Sequence, residues 1–112
     1  MDMAVHIEAE RDSEGYLIDP EDWTPEIGRE LAAEERLELG ESDWPIIEFM
    51  RGYWQEHQVA PDVRHVVEFL VSARGMDKKA AKGRLFQLFP YGYVKQACKI
   101  AGMMRPRAWS TG

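Results

Sequence analysis

Signals that begin or end a helix recur at short intervals along most of this chain. Thr24-Pro25 pairs a hydroxyl cap with a proline at the first helical position, and Ser42-Asp43 and Asp77 provide further caps. Gly75 and Gly102 stand where helices commonly end, because glycine adopts the left-handed backbone conformation without strain. A chain with such closely spaced signals forms short helices only, and the sequence predicts about five of them.

Each predicted helix carries an apolar stripe, which is typical of helices that pack against a shared core. The first helix runs from Thr24-Pro25 to about Glu35, the third opens at Ala60-Pro61, and the fifth extends from Tyr93 to Ala101. Three stripes are predicted to be buried in the second, third and fourth helices: Ile46, Ile47, Met50, Tyr53 and Trp54; Val63, Val66, Val67, Leu70 and Val71; and Ala81, Leu85, Phe86 and Leu88.

The two ends of the chain depart from this helical pattern. Val5 and Ile7 alternate with polar residues, residues 12–15 have turn chemistry, and residues 16–18 resume an extended pattern, which predicts a short β-hairpin. Residues 103–112 show no period and are predicted to form a flexible arm. The expected fold is mainly α (α+β), with one compact helical domain over residues 1–102 that includes the hairpin, and a C-terminal arm over residues 103–112.

Composition narrows the class of protein. A length of 112 residues fits one domain, and 45% hydrophobic with 30% charged residues is typical of a globular chain. No apolar run approaches the ~18 residues of a membrane helix, and the acidic N-terminus does not resemble a secretory signal. A single cysteine, Cys98, excludes an internal disulfide and a multi-cysteine metal site. We therefore expect a cytoplasmic protein with no membrane partner, no metal and no cofactor.

Charge is distributed very unevenly along the chain. Residues 1–50 hold 16 acidic and 3 basic side chains, whereas residues 51–112 hold 4 acidic and 11 basic ones, and the net charge is −6. The simpler interpretation is that the two halves complement each other electrostatically. The alternative is a nucleic-acid-binding face on the fourth helix, where basic residues cluster. This candidate face consists of Lys78, Lys79, Lys82 and Arg84.

Cys98 is the one candidate nucleophile. It stands between Lys95 and Lys99, with Arg105 and Arg107 in the following arm. Nearby cations favour the thiolate, which is the reactive form, whereas the C-terminal end of a helix disfavours an anion. A lone cysteine on an apolar stripe is more often a small core residue than a functional thiol. The residues alone leave both interpretations of Cys98 open.

Several short segments spread over nearly the whole chain have a distinctive sequence. The most specific is the C-terminal pair, residues 88–92 (Leu-Phe-Pro-Tyr-Gly) and residues 95–102 (Lys-Gln-Ala-Cys-Lys-Ile-Ala-Gly). The other segments are Glu14-Gly15-Tyr16-Leu17, Asp22-Trp23, Leu37-Glu38-Leu39 with Trp44, and Val59-Ala60-Pro61-Asp62-Val63-Arg64. Together these segments resemble the DsrC/TusE family of sulfur-relay proteins, whose DsrC branch serves dissimilatory sulfite reductase and whose TusE branch serves tRNA thiolation.

The resemblance implies a role for Cys98 and marks a departure in the arm. Family members carry sulfur as a persulfide on a penultimate arm cysteine, and in the DsrC branch a second cysteine in a Lys-Gln-Ala-Cys motif pairs with it. Cys98 matches the second position, whereas the arm cysteine would fall at Trp109. Residues 103–107 and Tyr93-Val94 also differ from the family pattern. With one thiol, the chain cannot cycle between an internal dithiol and a disulfide.

The resemblance therefore implies a sulfur-relay accessory protein, at most a sulfur carrier rather than a stand-alone enzyme. Its expected partners are sulfur-transfer proteins of the TusBCD or DsrEFH type, or a sulfite reductase. Cys98 is the candidate persulfide or exchange thiol, and Trp109 is a candidate apolar anchor for a partner. The alternative is a regulatory paralogue or nucleic-acid-binding module that keeps the fold without sulfur transfer. Four cations are candidates for stabilising bound anionic sulfur or a partner: Lys95, Lys99, Arg105 and Arg107.

Overall fold

Short helices joined by tight connections form the described part of the chain. The structure, a computed structural model, describes residues 9–103, apart from the side chain of Val94. A 3₁₀-helix at Pro20–Asp22 precedes four α-helices, and a π-helix at Tyr93–Cys98 follows them. The α-helices are α1 (Pro25–Glu34), α2 (Trp44–His57), α3 (Val63–Arg74) and α4 (Lys78–Leu88). The predicted mainly helical fold is confirmed.

Side-chain caps explain where three of the α-helices begin. The Thr24 hydroxyl accepts a hydrogen bond from the Ile27 N–H (3.2 Å), and the Asp77 carboxylate accepts from two N–H groups at the start of α4. Helix α3 begins two residues later than predicted from Ala60-Pro61, because Asp62 forms a capping box with His65. At α2, however, Asp43 makes no side-chain cap.

The core lies between the α-helices and the π-helix. Its largest fully buried side chains include Leu31 of α1, Ile47 and Met50 of α2, Leu70 of α3, and Ile100 after the π-helix. Helices α2, α3 and α4 pack in sequence against one another, and the π-helix residues Ala97 and Cys98 are wholly buried in the same cluster. The Cys98 end of this last described helix thus lies inside the core.

Three residues of the predicted stripes are exposed instead of buried. The side chain of Phe86 is 76% exposed, and Val63 and Val71 are 41% and 37% exposed. In α4, Ala81, Leu85 and Leu88 already occupy the buried face. Because successive residues of an α-helix point about 100° apart, Phe86 cannot share the direction of Leu85. The prediction that Phe86 belongs to the core was wrong for this reason.

The turn of the predicted hairpin is present. The Asp12 carboxylate accepts hydrogen bonds from the N–H groups of Glu14 (2.8 Å) and Tyr16 (3.0 Å), and Gly15 has a φ of 92°. Within residues 9–103, Arg11 and Leu17 form an isolated antiparallel bridge and no extended strand follows. Val5 and Ile7 lie outside the described residues, so the hairpin stays a prediction.

The helical segment that holds Cys98 ends close to Gly102, whose φ of 77° is typical of a residue that ends a helix. Met103 is 1% exposed, and its N–H donates to the Cys98 carbonyl (3.0 Å). The rest of the predicted arm, residues 104–112, lies outside the described residues. None of the described helices is both long and apolar enough to span a bilayer.

Candidate functional site

The segment that holds Cys98 is an irregular helix enclosed by two turns. Gly92, with a φ of 116°, starts it after the Phe89–Gly92 turn, and Gly102 ends it. The residues between Tyr93 and Cys98 follow π-helical geometry, in which each turn holds an extra residue. Such turns are rare and are frequently found at functional sites. The sequence predicted a helix here, but not its π-helical winding.

Cys98 itself is fully buried. Its exposed fraction is 0%, and Ala97, Ile100 and Ala101 beside it are equally buried. Burial raises the pKa of the Cys98 thiol to about 12, because an anion loses its hydration in the core. In this conformation the group is a thiol at neutral pH. The expectation that nearby cations favour the thiolate is therefore corrected by the structure.

The positive charge of Lys99 does not activate Cys98, because Lys99 is paired with two glutamates. The Lys99 ammonium lies 2.7 Å from Oε2 of Glu35 and 3.3 Å from Oε1 of Glu34, and the residue is only 7% exposed. The Gln96 amide donates to the other Glu35 oxygen (3.2 Å), and its own oxygen accepts from the Tyr91 N–H (3.0 Å). The charge of Lys99 is thus compensated by α1 and its C-terminal cap.

The two carboxylates of this cluster stay ionised readily. A hydrogen bond from Arg11 is the main cause that lowers the pKa of Glu34, with Lys99 assisting. Burial by itself raises the pKa of Glu35, but hydrogen bonds from Lys99 and Gln96 outweigh this and lower it. The cluster therefore joins the N-terminal segment, α1 and the π-helix through charged hydrogen bonds.

The carbonyl groups after the π-helix are held by a second set of residues. The Trp23 indole N–H donates to the Ile100 carbonyl (2.8 Å), and Arg51 donates to the carbonyls of Ala101 (2.8 Å) and Pro20 (3.0 Å). The Arg51 guanidinium also lies 4.4 Å from the centre of the Trp23 ring. In the sequence, Trp23 stands out only as part of a family-like segment, and nothing marks Arg51, because its contacts are remote along the chain.

The predicted basic residues near Cys98 are not brought together in the described part of the chain. Lys95 is exposed, while Lys99 is buried and paired. Arg105, Arg107 and Trp109 lie outside the described residues. Of the predicted cations within residues 9–103, Lys95 is therefore the one that is exposed to solvent, and it lies on the π-helix itself.

Three of the four residues in the predicted nucleic-acid-binding face of α4 are exposed, and the fourth is used in an ion pair. Lys78, Lys79 and Lys82 are exposed on α4, but Arg84 donates two hydrogen bonds to the Asp43 carboxylate, at 2.8 and 2.9 Å. Asp43 is 4% exposed, so this ion pair joins α4 to the start of α2. Arg84 is a structural residue, because its charge compensates a buried carboxylate.

Residues 9–103 contain no group of three or more histidine, cysteine, aspartate or glutamate side chains placed to hold a metal ion. His57 and His65 instead pack against the Tyr53 ring, with centroid distances of 4.3 and 4.9 Å. These histidines belong to an aromatic cluster on α2 and α3.

Comparison with known proteins agrees with this geometry. The family described as DsrC like protein matches residues 4–108. The sulfurtransferase TusE homolog of Haemophilus influenzae is 37% identical over 100 residues, which is 89% of this chain and 91% of that protein. Sulfurtransferase TusE of Sodalis glossinidius is 37% identical over 99 residues, or 88% of this chain and 91% of that protein.

Solved structures agree as well. The NMR structure of Allochromatium vinosum DsrC has a TM-score of 0.73 and 41% identity, covering 86% of this chain and 85% of that one. The oxidized gamma-subunit of the dissimilatory sulfite reductase (DsrC) from Archaeoglobus fulgidus has a TM-score of 0.73 and 34% identity, covering 88% and 89%. In sequence and in structure, the chain belongs to the DsrC/TusE family.

Proposed function

We propose that this chain is a sulfur-relay protein that docks to sulfurtransferase or sulfite-reductase-type partners and accepts sulfur on Cys98. Relatives named TusE and DsrC match most of its length, which supports the sulfur-relay role. The observation that carries the assignment to Cys98 is its position: the chain's single cysteine ends the π-helix, between the polar residues Gln96 and Lys99. We propose the cytoplasm as the compartment in which this transfer takes place.

The proposed reaction is a transfer of sulfane sulfur. The Cys98 thiolate attacks the outer sulfur of a donor persulfide, R–S–SH, and a new S–S bond forms on Cys98. The S–S bond of the donor breaks, and the donor leaves as the thiolate R–S⁻, which takes up the proton that Cys98 released. The transfer requires no external oxidant or reductant. The protein is a carrier in this scheme and not a stand-alone enzyme.

Transfer requires that Cys98 first becomes accessible. A thiol with 0% exposure and a pKa of about 12 cannot attack a donor in the closed conformation. Local opening of the π-helix segment, induced by a docked partner, would hydrate the thiol and bring its pKa towards the usual range. Lys95 and the released Lys99 are then proposed as cations beside the acceptor, and the tail residues Arg105, Arg107 and Trp109 are proposed to contact the partner.

The nucleic-acid alternative receives no support from the names of the relatives. The burial of Cys98 favours a different second candidate, which is docking without sulfur transfer. In that case the chain occupies the surface of a sulfur-transfer partner, and Cys98 is only a small core residue. The two candidates differ in whether Cys98 ever carries sulfur.

Sulfur loading distinguishes these candidates. The reduced protein is incubated with a cysteine desulfurase and cysteine, and separately with polysulfide, and its intact mass is recorded. Sulfur transfer predicts a gain of one sulfur atom (about 32 Da) that disappears on reduction and is absent from Cys98→Ser. If the mass stays unchanged under conditions in which an alkylating reagent reaches Cys98, sulfur transfer is excluded and docking alone remains.

A further inference from the structure

Two polar residues close to Cys98 are buried: Gln96 on the π-helix and Lys99 directly after it. Gln96 is 0% exposed and Lys99 is 7% exposed, and the other buried residues of the segment, Ala97, Ile100 and Ala101, are apolar. Each donates to one oxygen of the same carboxylate: Gln96 to Oε1 of Glu35 at 3.2 Å, and Lys99 to Oε2 at 2.7 Å. A single carboxylate at the end of α1 thus holds the π-helix on both sides of its cysteine.

The backbone that carries this carboxylate is held by the end of α1 and the turn after it. The Glu35 N–H caps α1 by donating to the carbonyls of Leu31 (3.2 Å) and Ala32 (3.1 Å). The next residue, Arg36, has a φ of 59°, which is a strained conformation for a residue other than glycine. Glu34, which also pairs with Arg11, approaches Lys99 at 3.3 Å. The chain therefore turns sharply at the point where Glu35 meets the π-helix.

This arrangement couples the position of Lys99 to the cover over Cys98. The two residues are adjacent, so a backbone movement that carries the Cys98 sulfur outward also displaces the base of the Lys99 side chain and pulls on its contact with Glu35. Losing the contacts with Glu34 and Glu35 while the Lys99 side chain stays buried leaves its charge without compensation, which is strongly unfavourable. An opening that also brings Lys99 into water replaces the lost contact with hydration. The contacts of Lys99 therefore favour a fully closed or a fully open segment over arrangements between them.

We infer that Glu35, Gln96 and Lys99 form a polar latch that sets how often Cys98 becomes exposed. They are positioning residues, because none of them contacts the reacting sulfur in the proposed transfer. The use of the latch rests on the proposed function, since a partner that withdraws Lys99 or Glu35 would uncover the acceptor thiol. The latch itself is a property of the free protein and can be measured without any partner.

The first experiment measures how fast a thiol reagent reaches Cys98 in the native protein. The rate is divided by that of the urea-unfolded protein at the same pH, so that intrinsic thiol reactivity cancels. Glu35→Gln keeps the shape of the side chain but removes its charge. Because local opening then costs less free energy, we expect the normalised rate to rise at least about tenfold. Asp43→Asn is the matched control, because Asp43 forms a comparably buried ion pair with Arg84 on another part of the fold.

The two variants give a decisive comparison once the free energy of unfolding is measured for each. The latch predicts that Glu35→Gln raises Cys98 exposure by more than its loss of global stability accounts for, whereas Asp43→Asn does not. A rise in both variants that simply follows global stability would overturn the inference, because Cys98 would then be exposed only by complete unfolding.

A second measurement needs no variant and covers the case in which Glu35→Gln does not fold. In the wild-type protein, the normalised rate is followed at low urea concentrations. Opening of the latch exposes little surface, so the rate should hardly depend on urea until the unfolding transition. A dependence as steep as that of global unfolding would refute the latch. Neither outcome depends on sulfur loading, so failure of the latch and failure of the proposed function are separate results.

Discussion

Among the individual residues, Trp23 packs so closely against two glycines that neither position has room for a Cβ atom. Its indole ring fits against two glycines, and a Cβ atom added at Gly102 would lie 2.5 Å from Cδ1 of Trp23, while one added at Gly28 would lie 2.7 Å from Cζ2. The ring also donates to the Ile100 carbonyl. Trp23 therefore fixes the backbone that follows Cys98, and glycine at position 102 is required both for space and for its φ of 77°.

Gly102→Ala should destabilise the protein by about 2–4 kcal/mol, since it combines overpacking against Trp23 with backbone strain. Urea unfolding measures the effect. Gly52→Ala and Gly83→Ala are matched controls, because a Cβ at either helical position meets no atom within 4 Å. Each control should stabilise its helix by about 0.5–1 kcal/mol. A neutral Gly102→Ala variant would contradict the close packing of Trp23.

The buried thiol of Cys98 makes stability depend on alkaline pH. Burial raises its pKa from the usual 9.0 to about 12, so the folded chain holds the proton more tightly than the unfolded chain. The contribution of the protonated thiol to the free energy of unfolding is fully present below pH 9. It is lost as the pH rises from 9 towards 12. Between these values, the unfolding free energy of wild type should fall faster than that of Cys98→Ala, by up to about 1.4 kcal/mol per pH unit.

Urea unfolding curves recorded at pH 8, 9 and 10 test this difference. Other alkaline groups titrate in both proteins, so the comparison isolates the thiol. Parallel pH profiles for wild type and Cys98→Ala would show that the thiol is hydrated in the folded protein.

The elements themselves show which features a sequence can predict. Thr24 and Asp77 cap helices as expected because capping depends on neighbours two or three residues away. Asp43 has the same local pattern, yet its carboxylate binds Arg84, which lies 41 residues further along the chain. Local chemistry therefore predicted the helices, but the partners of their charged residues follow from packing that no short segment specifies.

The candidate site shows the same limit. Cys98 stands out in the sequence as the single cysteine and by its place in a family-like motif, and the residues around it leave an activated thiol and a small core residue both open. The structure places Lys99 on Glu35, 64 residues away, and buries the sulfur. The π-helical winding was also missed, because the apolar spacing of Tyr93–Cys98 fits an ordinary helix equally well.

The ion pair between α2 and α4 gives a test of how Arg84 is used. Arg84→Ala should destabilise the protein by about 1–3 kcal/mol, because it leaves the buried Asp43 carboxylate without its partner. Lys82→Ala, on the exposed side of α4, should change stability by less than about 0.5 kcal/mol. Equal effects of the two substitutions in thermal or urea unfolding would show that Arg84 is a surface residue like Lys82.

For the molecule as a whole, ion pairs between the acidic first half and the basic second half of the chain join the two halves. Lys99 pairs with Glu34 and Glu35, and Arg84 pairs with Asp43, so each contact joins a basic residue of the second half to an acidic residue of the first. These contacts support the interpretation of internal charge complementarity. They also reduce the number of basic groups that are free to bind nucleic acid.

Joining the halves through carboxylates implies that the fold weakens in acid. The pKa values of Glu34 and Glu35 are lowered by the hydrogen bonds that they accept from Arg11, Lys99 and Gln96. Their contribution to stability is therefore present above the usual carboxyl pKa of 4.5 and is lost as pH falls below it. We expect the urea midpoint of wild type to decrease between pH 6 and pH 3.

Glu35→Gln should start from a lower midpoint at pH 6 and show a smaller decrease, because one of the titrating contacts is already lost. Glu38→Gln removes an exposed glutamate near the same turn and should follow the wild-type curve. If Glu35→Gln instead parallels wild type over the whole range, the contact of Glu35 with Lys99 contributes nothing to the cohesion of the two halves, and other interactions must hold the π-helix over Cys98.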